Sequence, residues 1–268
     1  MAPSPTSDDD PHAFDAKLAK ALERDYQTPE IVEQRRRTIA ILNPKAGERI
    51  MDVGCGPGLL ALEMAPHVGT DGHITGIDTS PDMLRLAAVR CAAHPNITVT
   101  GGNALALPVG DRTLDAMSCT QVLLLIADVP AALREFHRVL KPGGRLVVVE
   151  TDWRGAVVNT ADKDLTHRMF EAWDDMAVSP NLPARLAPLL TAAGFQTRAV
   201  TPVPILNRAF TPERFSYSYM RGLARHAAGR GDVSPEDAAW WIADLEQKDR
   251  DGAYFFCVNR FVFLAEKT

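Results

Sequence analysis

Between Arg49 and Asp152 short apolar runs alternate with segments of helical spacing, and few folds tolerate that alternation. The runs "RIMDVG" (49–54) and "HITGID" (73–78) read as buried strands, one ending in glycine and the other in an acid. Helical spacing in "LLALEMA" separates them. The next segment, "SPDMLRLAAVRCAAH", opens with Ser80 as N-cap and Pro81 at the first helical position, and Met83, Leu84, Ala87 and Ala88 recur at helical intervals. "ITVTGG" (97–102), "LDAMSCT" (114–120) and "RLVVVETD" (145–152) supply three further strands, the last two separated by the helix "PAALREFHRVL" and the turn "KPGG". Crossovers of this kind predict an α/β fold with a mainly parallel, doubly wound sheet. Such sheets bind ligands beyond the carboxyl ends of their strands, near the switch point. The glycine loop after residue 53, Asp78, Asn103, Thr120 and Asp152 all fall at those ends and should line one crevice.

The loop itself, "MDVGCGPG" (51–58), narrows the ligand. Glycines spaced Gly-x-Gly-x-Gly let a ligand touch bare backbone and let the chain take positive φ. A dinucleotide fingerprint needs Gly-x-Gly-x-x-Gly over a pyrophosphate, whereas here the sixth position is Leu59 and the glycines are Gly54, Gly56 and Gly58. Asp52 places a carboxylate where a dinucleotide would bring negative charge, so it favours a cation. Asp78 ends the next strand, where a carboxylate can accept hydrogen bonds from both hydroxyls of a ribose. A positively charged nucleoside satisfies both acids. S-adenosylmethionine (SAM) has the ribose, an ammonium, a sulfonium and no phosphate, and is the expected cofactor.

With these residues in order, the stretch 48–152 resembles the core of a class I SAM-dependent methyltransferase. The group is the one similar to the ubiquinone/menaquinone-biosynthesis C-methyltransferases and to small-molecule methyltransferases. "MDVGCGPG" resembles the first motif of that family, "GIDTSPDM" the second, "GGNALALP" the third and "VLKPGGRLVV" the signature after them. The resemblance implies a Rossmann-like seven-stranded sheet of order 3-2-1-4-5-7-6 with strand 7 antiparallel. It implies Gly54 and Gly56 against the methionine moiety, Asp78 on the ribose, Thr79 and Met83 beside the adenine, and Asn103 and Ala104 at the adenine edge. Two departures stand out. The third motif usually offers Asp, and Asn103 replaces it here, with an amide oxygen still able to accept from the adenine amino group. In "LLLIAD" (123–128), relatives often carry His or Tyr where this chain has Leu125, which leaves no polar side chain there for a substrate.

Composition excludes other classes of partner. A chain of 268 residues can bury a full core. Its net charge of −5 offers no general attraction to phosphate backbones, and Arg35-Arg36-Arg37 is too short for a nucleic-acid footprint. Cys55, Cys91, Cys119 and Cys257 lie far apart without a Cys-x-x-Cys pair, fitting neither a disulfide framework nor a metal site, so a reduced, cytoplasmic setting is expected. "MAPSPTSDDDPH" lacks the apolar centre of a signal peptide, and no run approaches 18 apolar residues, so no membrane partner is expected. Homodimerisation is left open.

The remaining segments should hold the acceptor. Residues 1–43 read as a tail and a helical lid, with Thr28 as N-cap and Pro29 as first residue of its second helix; residues 44–268 read as the catalytic domain. Arg35 falls on the apolar stripe Ile31, Arg35, Ile39, Leu42, and a buried arginine needs an anion, for which the SAM carboxylate is one candidate. Tyr26 would close the same end. A cap over 153–185 carries Leu165, Met169, Trp173 and Met176 on one helical face, and a helical insertion over 205–250 separates strands that relatives join by a short hairpin. On its first helix Tyr219, Leu223 and His226 fall at i, i+4 and i+7. That face makes Tyr219 and His226 the candidate catalytic pair, His226 as general base, although a packed or solvated helix histidine is the simpler reading. His167 is explained by an ion pair with Glu171 one turn away. The expected function is methyl transfer from SAM, by in-line displacement, to a C, N, O or S atom of a small, largely apolar or aromatic molecule, with no metal demanded. The alternatives are a SAM-binding regulator without turnover and, with Leu59 and Asp52 weighing against it, a nicotinamide oxidoreductase.

Overall fold

A computed structural model describes residues 22–174 and 177–268 and builds them around one eight-stranded sheet. Strands β1 (Arg49–Val53), β2 (His73–Asp78), β3 (Ile97–Gly101), β4 (Leu114–Thr120) and β5 (Leu140–Thr151) are parallel, in the order β3-β2-β1-β4-β5. After them come the two-residue β6 (Val157–Val158), β7 (Phe195–Asn207) and β8 (Phe256–Lys267). Strand β8 runs antiparallel beside β5, β7 pairs antiparallel with the far side of β8, and β6 continues the β5 side. The expected order 3-2-1-4-5-7-6 therefore holds, with β7 and β8 as its sixth and seventh strands. The order reverses between β1 and β4, and the glycine loop sits at that switch point.

Eight helices of the described residues complete the fold: α1 (Pro29–Leu42), α2 (Leu59–Val68), α3 (Pro81–Cys91), α4 (Val129–Val139), α5 (Lys163–Asp174), α6 (Pro183–Ala192), α7 (Phe215–Ala227) and α8 (Pro235–Arg250). Period-two burial along the strands sends alternate residues to the two faces. On one face Ile39 and Leu42 of α1 and Leu60 and Met64 of α2 pack on Ile50, Ala116, Val147, Val149 and Val262. On the other, Leu133 and Phe136 of α4 and Leu186 and Leu190 of α6 pack on Met51, Met117, Val148 and Phe263. A third cluster joins α5, α7 and α8 to the start of β8 through Met169, Met220, Leu223, Trp241, Phe256 and Val258. Trp241 is fully buried and its indole N–H donates to Thr166 Oγ1 at 2.9 Å, so truncating it to alanine would cost about 3–5 kcal/mol and loosen the insertion.

Several boundaries differ from the sequence reading. Strand β7 continues through Asn207, so the insertion begins after residue 207 rather than at 205. Pro202 and Pro204 are tolerated inside it because β7 is an edge strand. Leu140 already pairs with Leu114, and the next pair is Arg145 with Ala116, so "KPGG" is a turn bulging from one longer strand. Thr28 does precede α1, but its hydroxyl donates to Asp25 O at 2.7 Å instead of capping the helix, whereas Ser80 Oγ caps α3 by accepting from Met83 N. The first part of the lid, through residue 21, and Met176 of the cap face lie outside the described residues.

Candidate cofactor and acceptor site

The loop after β1 folds back on the sheet because Gly54 and Gly56 adopt φ of +66° and +52°. A Cβ on Gly54 would meet Val122 Cγ2 at 2.1 Å, so this position admits glycine alone. Asp78 at the end of β2 is aligned by two backbone donors, Gly56 N at 2.9 Å and Ser80 N at 2.8 Å. Its carboxylate borders a cavity of about 400 Å³ lined also by Thr79, Met83, Asn103 and Ala104. The Asn103 side-chain oxygen accepts from Leu105 N at 2.9 Å and closes a local turn. Any bond to an adenine amino group would have to share that oxygen, which the sequence reading took as free.

A second cavity of about 90 Å³ adjoins the first and shares Tyr26, Gly54, Gly56, Thr120 and Gln121 with it. Its own walls include Gln34, Arg35, Asp52 and Arg260. Asp52 is 2% exposed and accepts a 2.7 Å hydrogen bond from Ser118 Oγ. Burial pushes its carboxyl up to about 7, against the pull of that hydrogen bond and with a further push from the Asp78 charge. Thr120 Oγ1 is buried without a partner among the described residues, and Gln121 takes a left-handed φ of +57°. A buried hydroxyl left unbonded and a strained non-glycine residue mark the shared wall as a ligand surface. Tyr26 covers it from outside: its ring lies 3.8 Å from where a Gly56 Cβ would stand.

Of the residues singled out from sequence, Tyr26, Arg35, Asp52, Gly54, Gly56, Asp78, Thr79, Met83, Asn103, Ala104 and Thr120 come together on these two cavities. Gly58 does not. It caps α2 at φ +78°, and a Cβ there would press on Ala87 and Cys91 at 3.1 Å, so its task is helix packing. Arg35 is buried as expected, but its anion is Glu63, with Nε 2.9 Å from Oε1, and Nη1 also donates to Tyr26 O. The reason for giving it a ligand carboxylate thereby falls away. Gln34, Gln121 and Arg260 were missed. A signal existed for Arg260, which interrupts the alternation Phe256, Val258, Val262 on the buried side of β8.

The proposed catalytic pair is separated. Tyr219 stacks on Trp153 at 3.9 Å between ring centroids, with Trp173 edge-on at 5.1 Å and Phe215 at 5.6 Å. Its buried hydroxyl and Trp173 Nε1 have no hydrogen-bond partner among the described residues. Burial drives the phenol pKa far upward, so Tyr219 is a hydrogen-bond donor and no base. His226 sits on the last turn of α7, its Nε2 3.3 Å from Arg230 Nη1, and lines neither cavity; the helix carries it past the site. His167 pairs with Glu171 at 3.2 Å as expected. The lid is tied to both sides of the crevice: Glu23 to Arg90 of α3, Glu30 to Arg214 at 2.8 Å, and Asp25 to Ser218 of α7.

Residues 50–144 match the model of a family described as a methyltransferase domain. Residues 50–144 thus form a methyltransferase-type domain. The methyltransferase core is 40% identical over 118 residues to a demethylmenaquinone methyltransferase of Symbiobacterium thermophilum, covering 43% of this chain and 47% of that one. Similarity is longer, 31% over 231 residues, to an uncharacterized 37.1 kDa protein in a transposon of Streptomyces fradiae, covering 85% of this chain and 65% of the relative. The chain thus spans about half to two thirds of these relatives. Among solved structures, the [4+2]-cyclase SpnF is 27% identical with a TM-score of 0.56, over 87% of this chain and 81% of that one. A phosphoethanolamine N-methyltransferase of Haemonchus contortus, 18% identical with a TM-score of 0.61 over 95% of this chain and 57% of that one, shares the fold and was solved with SAM bound. Among the described residues no helix is long and apolar enough to cross a membrane, and no group of His, Cys, Asp and Glu could hold a metal ion.

Proposed function

We propose that this protein is a methyltransferase that moves the methyl group of SAM to a small, largely apolar or aromatic acceptor, in the cytoplasm and without nucleic acid or membrane as partner. The observation that carries the reading is the pair of adjoining cavities, one bordered by a ribose-type acid, Asp78, and the other by a buried acid, Asp52, suited to an ammonium. When bound, SAM supplies an electrophilic methyl on a sulfonium. The chain's residues do the rest: Gly54 and Gly56 give the ligand backbone to lie against, Asp78 holds the ribose, and the shared wall of Thr120 and Gln121 fixes where the two halves of the ligand meet.

Beyond that wall, Val122, Leu125 and Ile126 are apolar, and the cap and the insertion together form an aromatic cluster, Trp153 and Trp173 from the cap and Phe215 and Tyr219 from the insertion. Apolar walls exclude water, which favours the loss of charge on sulfur as the methyl leaves. Tyr219 Oη and Trp173 Nε1, buried without a hydrogen-bond partner among the described residues, line neither cavity, and serve an acceptor only if the aromatic cluster opens toward it. His226→Ala should leave turnover and SAM affinity near wild type, whereas removal of a working general base would lower the rate about 10²–10⁴-fold. Incubation with SAM and a panel of phenols, quinols, amines and thiols tests the proposal through S-adenosylhomocysteine release. Conversion of an acceptor with no S-adenosylhomocysteine formed would replace transfer with another reaction on the same fold, as the cyclase relative illustrates.

A further inference from the structure

The methionine-end cavity contains a cation whose anion is missing. Arg260 is 4% exposed, and its partners are neutral: Nη1 donates to Gln34 Oε1 at 2.7 Å, the guanidinium carbon lies 5.3 Å from the Phe215 ring centroid, and buried Nε has no hydrogen-bond partner among the described residues. Burial lowers its pKa to about 10, which still leaves it cationic at neutral pH. Glu150, whose charge acts on Arg260, forms no hydrogen bond or ion pair with it. Glu150 pairs in register with Phe261 while Arg260 pairs with Thr151, so the two side chains leave opposite faces of the sheet. Glu150 Oε1 is taken by Val122 N and Leu123 N, and burial pushes its pKa up to about 8. Arg35, by contrast, already has Glu63.

Asp52 lines the same small cavity, so its walls offer one acid and one unanswered guanidinium. That is the complement of an amino-acid head, ammonium against acid and carboxylate against guanidinium. We propose that Arg260 binds the α-carboxylate of the cofactor while Asp52 takes its ammonium, and that through Phe215 this contact ties cofactor binding to the first helix of the insertion. The inference rests on the SAM reading above. Arg260, from the last strand rather than the N-terminal helix, is then the cofactor-binding cation, and it makes the site specific for cofactors that keep their carboxylate. Gln34 on α1 and Phe215 on α7 hold the guanidinium from two sides, so a ligand that engages it draws lid and insertion together.

The test compares SAM with decarboxylated SAM by calorimetry in the wild type, Arg260→Met and the more conservative Arg260→Gln. Wild type should prefer SAM about 10- to 100-fold, the worth of a charged hydrogen bond. Both variants should lose that preference through weaker SAM binding, with decarboxylated SAM unaffected. A preference that survives in the variants, or equal weakening of both ligands, overturns the assignment. If a folded variant binds SAM normally but needs more acceptor, Arg260 serves an acceptor anion and the proposal also fails. Wild type binding neither ligand would instead remove the SAM reading itself. If Arg260→Met does not fold, Arg260→Gln carries the comparison. Amide exchange in 215–227 should slow with SAM and not with decarboxylated SAM; equal protection overturns the tie to the insertion.

Discussion

The two cavities differ in how their polar groups stand before any ligand arrives. At the larger one, Asp78 is half-buried and both its oxygens already accept backbone hydrogen bonds, while Asn103 is exposed and satisfied by Leu105 N. At the smaller one, Asp52 and Arg260 are almost wholly buried, and Thr120 Oγ1 and Arg260 Nε lack partners among the described residues. The first end is relaxed and waits. The second holds desolvated charge whose cost is offset only when complementary charge enters. Ligand binding should therefore change the stability of the second end far more than that of the first.

The wall common to both offers the largest effect. Gly54→Ala places a methyl into Val122 and asks for a left-handed φ, which together should cost about 2–5 kcal/mol in stability. Thermal unfolding and cofactor titration should both deteriorate. A variant of normal stability and affinity would show that the loop can move away from Val122, and that the two cavities are not locked together.

Titration separates the ends next. Asp52 has a folded pKa of about 7 against an ordinary 3.8, so between those values the native state holds the extra proton. Its contribution to stability is greatest below about pH 4, falls as pH rises, and levels off above about 7. The total is on the order of 4 kcal/mol. Asp52→Asn should be more stable than wild type at pH 8 in the absence of ligand, with the gap closing toward pH 4. Glu150, raised to about 8 from 4.5, adds a fall of the same sign that the variant keeps. SAM, by holding Asp52 ionised, should bind with release of a proton near pH 6, seen as a buffer-dependent heat of binding. A heat independent of the buffer would place the ammonium elsewhere.

What could be read from the chain follows the same division. The relaxed end is built from strand tips and the turns that follow them, each a contiguous motif, so Gly54, Asp78, Met83 and Asn103 were legible together with the sheet order. The charged end is assembled across the chain: Gln34 and Arg260 meet over 226 positions, and Arg35 finds Glu63 on a helix 28 positions away. Spacing along α1 could show that an arginine is buried, but which acid answers it is decided by how α1 crosses α2. The helical character of the insertion was legible, and its second helix is closed by a capping box of Ser234 with Asp237, yet that Tyr219 meets Trp153 and Trp173 while His226, two turns on along the same helix, meets Arg230 is decided by tertiary packing.

Removing Asp78 tests the relaxed end more directly than any change at the charged one. Asp78→Ala takes away the acceptor for the ribose hydroxyls, and cofactor binding should weaken by about 1–3 kcal/mol. Gly56 N and Ser80 N lose their acceptor too, and Ser80 is buried, so the variant should also lose some stability, which thermal unfolding reads separately from affinity. Calorimetry with S-adenosylhomocysteine should show the loss at every pH between 6 and 8, unlike the Asp52 effect. Affinity that stays unchanged would sink the assignment of the ribose to this end.

Asn103→Ala should give the smallest response. The amide oxygen spends its hydrogen bond on Leu105 N in an exposed turn, so the variant loses one local bond that solvent can replace. Neutral hydrogen bonds of that kind contribute about 0.5–1.5 kcal/mol, and an exposed one falls at the low end. Cofactor affinity should therefore drop no more than about threefold, which corresponds to roughly 0.7 kcal/mol. Asn103→Asp restores the residue type that relatives carry in the third motif and keeps the acceptor for Leu105 N. If the alanine variant lost tenfold or more while the aspartate variant gained affinity, the side chain at 103 would be contacting adenine directly. The relaxed end would then depend on a ligand contact as strongly as the charged end does, and the contrast between the two cavities would not survive.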